Sequence, residues 1–74
     1  MAEPIHYLTQ EKIEEFKKEL DFLRTTRRRE VAENLEYAKK LGDLSENAEY
    51  HEAREKQAEV EDRINYIEHI LKTA

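Results

Sequence analysis

Apolar residues recur along this chain at steps of three and four, in two runs separated by one short polar stretch. The second run is the more regular. Tyr50, Ala53, Gln57, Val60, Ile64, Ile67 and Leu71 alternate steps of 3 and 4, which lines them up as one stripe on a helix that pairs with another. The first run begins with Ile13, Phe16, Leu20 and Leu23 and continues through Arg27, Val31, Leu35 and Ala38. Leu20 to Val31 is an eleven-residue step, so the strict heptad gives way there and the left-handed supercoil relaxes locally. Thr9 can cap the first helix with its hydroxyl, and Glu11 suits the positive helix end. The pattern predicts a lead-in over residues 1–8, where Pro4 opposes an early start. It then predicts one continuous helix over 10–41, roughly 48 Å at 1.5 Å per residue, and a second over 46–72.

Gly42 is the only glycine, and it stands between the two runs. Lacking a Cβ, it readily takes the backbone conformation that ends a helix, so it marks a reversal within a turn at 42–45. So short a connection forces the helices antiparallel. The expected register brings Leu20 near Ile67, Leu23 near Ile64, Arg27 near Val60, Leu35 near Ala53 and Ala38 near Tyr50. The predicted fold is all-α, a long antiparallel two-helix coiled-coil hairpin. Arg27 and Gln57 are polar on this seam; they specify register, Arg27 laying its stem along the seam and reaching Glu59 or Glu61. The run Arg27-Arg28-Arg29 alternatively offers a contact to nucleic acid or a partner. Glu14–Lys18, Glu36–Lys40, Glu52–Lys56, Glu59–Arg63 and Glu68–Lys72 are i,i+4 pairs in the favourable orientation.

Composition narrows the function classes. Charged residues make up 42% of the 74, which suits solvated helices and leaves only a modest core. A net charge of -5 argues against wholesale binding to duplex phosphate, although local basic patches remain. With no cysteine there is neither a disulfide framework nor a thiolate zinc site. No apolar run reaches membrane-spanning length and no signal-type segment leads the chain, so the expectation is a cytoplasmic, monomeric domain with no membrane partner. His6, His51 and His69 share no metal-ligand spacing.

The turn carries the candidate chemistry. Asp43-Leu44-Ser45-Glu46 fits a capping box, in which Asp43 caps the second helix and Glu46 reaches back. Ser45 and Asn47 are alternative caps, so the helix can start without Asp43. Leu44 has no core to enter at the end of a thin arm, and an exposed leucine there points to contact with something else. Two readings stand side by side: a local cap, or an acidic tip presented to a receptor.

The stretch Gly42-Asp43-Leu44-Ser45-Glu46-Asn47-Ala48-Glu49-Tyr50 resembles the signature of bacterial Gre transcript cleavage factors. Glu19-Leu20-Asp21-Phe22-Leu23, Arg27-Arg28-x-Glu30-Val31, Ala53-Arg54-Glu55-x-Gln57 and Arg63-Ile64 agree in register, so the likeness covers residues 7–72 without gaps. Arg29 stands where many members have proline, and Lys12 where many have glycine; both favour a smoother helix. The resemblance implies a further C-terminal domain, similar to FK506-binding proteins, that docks such factors on RNA polymerase, and it would begin where this chain ends.

The resemblance also implies a function. Such a hairpin enters the secondary channel of RNA polymerase and stimulates the polymerase's own hydrolysis of backtracked RNA, so the factor is an accessory and not an enzyme. Asp43 and Glu46 are the implied catalytic residues, sharing a Mg²⁺ with polymerase ligands, since two carboxylates alone cannot hold it. Leu44, Ser45 and Asn47 are implied tip contacts. Lys39, Lys40 and Arg54 would face the 3′ end of the extruded transcript. The competing classes are an anti-cleavage or regulatory binder of the same channel and a purely structural helical-hairpin module. A self-sufficient nuclease is disfavoured, because a two-helix rod offers no pocket.

Overall fold

The computed structural model describes residues 8–43 and 45–73; the predicted lead-in before Leu8 and the expected exposure of Leu44 lie outside the described residues. Two helical arms run antiparallel. The first consists of α1 (Gln10–Phe22), a π-helical turn (Leu23–Arg27) and α2 (Arg28–Lys39); the second is α3 (Ala48–Thr73). The hairpin is 48 Å in its longest dimension and 13 Å in its shortest. Among the described residues there is no strand, and no helix is long and apolar enough to cross a membrane.

Thr9 caps α1 as expected. Its Oγ1 accepts the Lys12 amide at 3.1 Å, satisfying one of the donors a helix start leaves unpaired. The seam then follows the apolar stripe. Phe16, Leu20, Leu23 and Val31 from the first arm form one buried cluster with Val60, Ile64, Ile67 and Ile70 from α3. Each such side chain taken from water contributes about 1.5–3 kcal/mol, so this cluster is the main source of stability.

The first arm departs from the expected uninterrupted α-helix. The Arg28 amide donates to the carbonyl of Leu23, five residues back, and Thr25 Oγ1 donates to the Asp21 carbonyl at 2.7 Å. The cause lies in the spacing. A heptad from Leu23 would put Glu30 on the seam, whereas the next apolar residue is Val31, one position late. A π turn takes up one extra residue and so returns Val31 to the seam, where it is 3% exposed.

That shift corrects the reading of Arg27. It is half-buried, and it pairs at 3.7 Å with Glu30 on its own arm. Arg28 makes the crossing instead, binding Glu61 with Nε and one terminal nitrogen at 2.9 and 2.8 Å. Gln57 is half-buried beside Arg28, Val31 and Val60. At the base Ile70, at 2% exposure, is the buried residue and not Leu71; the seam widens there, with Leu8 and Leu71 packed against the same cluster.

Among the described residues none of the expected i,i+4 ion pairs forms; of their members, Glu36, Lys56 and Glu59 pair at i,i+3, and Arg63 and Glu68 cross between the arms. Lys12–Glu15, Glu36–Lys39 and Lys56–Glu59 are of the first kind. Glu19–Arg63 and Arg24–Glu68 are of the second, and they bracket Leu20–Ile67 and Leu23–Ile64 as the predicted register requires. Arginine is long enough to span a thin hairpin, and its planar fork matches a carboxylate better across the gap than along the helix.

Candidate functional site: the hairpin tip

The connection between the arms occupies residues 40–47, longer than the predicted turn. α2 ends as the Lys40 and Leu41 amides donate to the carbonyls of Tyr37 and Ala38, both at 3.1 Å. Gly42 follows with φ +136, a backbone state that any side chain would strain, although a Cβ there would meet no atom within 4 Å. The glycine is required by conformation alone.

The expected capping box is not made. Asn47 caps α3: its Oδ1 accepts the Tyr50 amide at 3.0 Å, and its Nδ2 donates to the Ala38 carbonyl at 2.5 Å. One amide side chain therefore starts α3 and ties it to the end of α2. A carboxylate could accept but not donate, which is why Asn47 holds this place and the neighbouring acids do not. Asn47, expected among the tip contacts, thus has its side chain engaged inside the hairpin.

Asp43 is exposed, and its Oδ1 accepts both the Ser45 amide and the Ser45 hydroxyl at 2.9 Å. These two bonds, the backbone one foremost, hold the Asp43 carboxyl below its ordinary range. Glu46 is exposed and has no hydrogen bond or ion pair among the described residues. Both acids line an open depression with Leu41, Asn47, Ala48 and Glu49. His51, given no role by its spacing, approaches the Ser45 carbonyl with Nε2 at 3.3 Å and meets the Tyr50 ring edge-on. The alternation of residue types gave no signal of that contact.

As hard oxygen donors the Asp43 and Glu46 carboxylates fit a magnesium ion. Among the described residues no three His, Cys, Asp or Glu side chains converge to hold a metal. Lys39 and Lys40 stand at the end of α2 and Arg54 in the second turn of α3, all exposed. Lys39 pairs with Glu36 at 3.3 Å, while Lys40 and Arg54 make no ion pair among the described residues.

Comparison with known proteins identifies a family. The family described as transcription elongation factor, N-terminal, covering GreA and GreB, matches residues 6–74. Transcription elongation factor GreA of Halalkalibacterium halodurans is 48% identical over 69 residues, which is 93% of this chain and 44% of that protein. The GreA proteins of Alkaliphilus oremlandii and Thermoanaerobacter pseudethanolicus are each 46% identical over 74 residues, all of this chain and 46% of theirs. The chain therefore spans less than half the length of these relatives. No solved structure gives a significant match. A Gre-type signature at the turn, a helical hairpin that presents it, and identity near one half along the whole chain lead to one conclusion: the chain belongs to the GreA/GreB N-terminal family of transcription elongation factors.

Proposed function

We propose that this hairpin acts inside RNA polymerase, entering its secondary channel and placing Asp43 and Glu46 beside the active centre of a backtracked complex to promote hydrolysis of the transcript. One observation carries this reading. Both acids sit at the end of a 48 Å arm, and neither is used to start α3, because Asn47 does that. An arm whose outermost carboxylates are relieved of structural duty is suited to lend them to another protein.

Within this reading Asp43 supplies a carboxylate oxygen as ligand, and Glu46, free to turn, completes the site or orients the attacking water. A magnesium shared with polymerase ligands would supply charge stabilisation and an activated water. The hairpin supplies reach and stiffness. On this reading the factor is an accessory that lends ligands to the polymerase's chemistry. On the same reading Lys39, Lys40 and Arg54 face the extruded RNA.

Asp43→Asn tests the assignment, with this chain carried in a full-length GreA relative. Transcript cleavage should be abolished while polymerase binding and the melting temperature stay unchanged, because α3 keeps its Asn47 cap. Normal cleavage by that variant would return Asp43 to a purely local role. Arg54→Glu should weaken crosslinking to the transcript and flatten its salt dependence, since one fewer phosphate contact releases fewer counterions. Crosslinking equal to that of the unsubstituted protein would remove Arg54 from the RNA path.

A further inference from the structure

We propose that Ser45 is a positioning residue that presets the Asp43 carboxylate, fixing one oxygen and leaving the other as the single oxygen presented outward. The inference deepens the function proposed above and rests on it.

The geometry is local and specific. Ser45 donates twice to the same atom, through its amide and its hydroxyl, each at 2.9 Å from Asp43 Oδ1. Two donors on one oxygen fix the side-chain torsions of a residue as short as aspartate. Asp43 Oδ2 has no donor among the described residues. Ser45 is itself held, since its carbonyl lies 3.3 Å from His51 Nε2 in the first turn of α3. That turn stands on the Asn47 cap, which also grips the end of α2. Asp43 is therefore linked through Ser45 to a helix, although it lies in a connecting loop.

Glu46 provides the contrast three residues away. It is equally exposed and has no partner to hold it. A side chain that engages a ligand must give up its rotamer freedom, and Asp43 has given it up in advance while Glu46 has not. The two acids of the tip thus differ in kind: one is a preset single-oxygen ligand, the other an adaptable one. Ser45 is separable from stability, because neither the cap of α3 nor the seam uses its hydroxyl.

Ser45→Ala removes the hydroxyl bond and keeps the amide one; Ser45→Thr keeps both. The first measurement is made on this chain by NMR, reading the three-bond couplings that report the Asp43 side-chain torsion. A single rotamer is expected in the unsubstituted protein and in Ser45→Thr, with averaging in Ser45→Ala. The second is transcript cleavage with this chain carried in a full-length GreA relative. The maximal rate should fall about tenfold in Ser45→Ala, the scale of one lost hydrogen bond to a charged group. The half-saturating factor concentration should stay unchanged, and Ser45→Thr should restore the rate. A single Asp43 rotamer in Ser45→Ala overturns the proposal, as does averaging without any fall in rate. A raised half-saturating concentration at unchanged rate also overturns it, since Ser45 would then be a polymerase contact. The Asp43→Asn variant separates the two levels. If it cleaves normally, the function proposed above fails. If it is inactive while Ser45→Ala changes neither couplings nor rate, only the role of Ser45 fails.

Discussion

Between Phe16 and Val31 the first arm meets α3 through large side chains, and Ile64, Ile67 and Ile70 opposite them are almost wholly buried. Towards the tip the seam is Leu35, Ala38 and Ala53, and the last two are the smallest side chains in it. The cross-arm ion pairs follow the same division. Glu19–Arg63, Arg24–Glu68 and Arg28–Glu61 all lie on the base side, and beyond them none crosses among the described residues. Near the tip, among the described residues, the hydrogen bond from Asn47 to the Ala38 carbonyl supplements the packing of these small side chains. The difference teaches where each property is stored. Stability comes from the base, and alanines let the arms approach closely near the tip, so the end of the rod is slender. Asp43 and Glu46 then sit where the fold asks least of them.

Removing bulk from the base should have the largest effect. Ile67 is 0% exposed, and Ile67→Ala should cost about 2–5 kcal/mol in chemical denaturation, the usual penalty of a lost transfer plus a cavity. Leu35→Ala, where the neighbours are alanines and solvent is near, should lie at or below the low end of that range. Equal costs at the two positions would break the division between base and tip. The next effect belongs to the cap. Asn47→Ala should cost about 0.5–2 kcal/mol as a lost N-cap. It should also raise hydrogen exchange at Tyr50 while leaving amides around Ile67 protected. Uniform loss of protection along α3 would mean that the tip and the base open together.

A smaller effect should appear in acid. The Arg63 guanidinium, donating to Glu19 through two nitrogens at 2.6 and 3.0 Å, holds that carboxyl below its ordinary 4.5. A carboxyl lowered by folding contributes stability that is fully present above its unfolded value and is lost as pH falls through the lowered folded one. Both side chains are more than one-third exposed, at 44% and 36%, so water and salt screen the pair. Its worth is about 0.2–1 kcal/mol. Glu19→Gln should remove this part of the acid dependence below pH 4.5 and leave stability above pH 6 lower by that amount. An acid profile identical to that of the unsubstituted protein would assign the pair no stabilising role.

Much of the hairpin was legible before the structure because its signals are periodic. Thr9, the stripe from Ile13 to Leu23, the stripe of α3 and the single glycine each act through local rules that tertiary context did not override. The tip was less legible for a definite reason. Asp43, Ser45 and Asn47 are all competent caps within five residues, and local propensity ranks them almost equally. The choice is tied to the first arm, where the Ala38 carbonyl at the end of α2 accepts from the amide of Asn47, a donor that no carboxylate offers. The acids could be placed at the turn from sequence, and the catalytic role proposed for them came from family resemblance. The bonds from Ser45 to Asp43 needed coordinates. Arg27 was misplaced for a comparable reason. The late arrival of Val31 is visible in the spacing, yet the same delay can be met by a straighter supercoil or by a local π turn, and periodicity does not distinguish them.

The smallest expected effect sharpens that last point. If the π turn exists to absorb one residue, then deleting Thr26 from it should let the turn close into ordinary α-helix. Val31 would then fall a heptad after Leu23, and the whole seam on both sides would remain buried. The melting temperature should hold or rise, since an α turn has better hydrogen-bond geometry than a π turn. Deleting Ala58 provides the control. It is exposed in the middle of α3, where the seam has no spare residue and no π turn to give one up. One half of α3 must then rotate about 100° out of the seam, or the helix must distort to prevent it. The melting temperature should drop steeply in that variant. Comparable losses from the two deletions would show that the π turn does not act as slack and that the displaced Val31 is accommodated by bending along the whole arm.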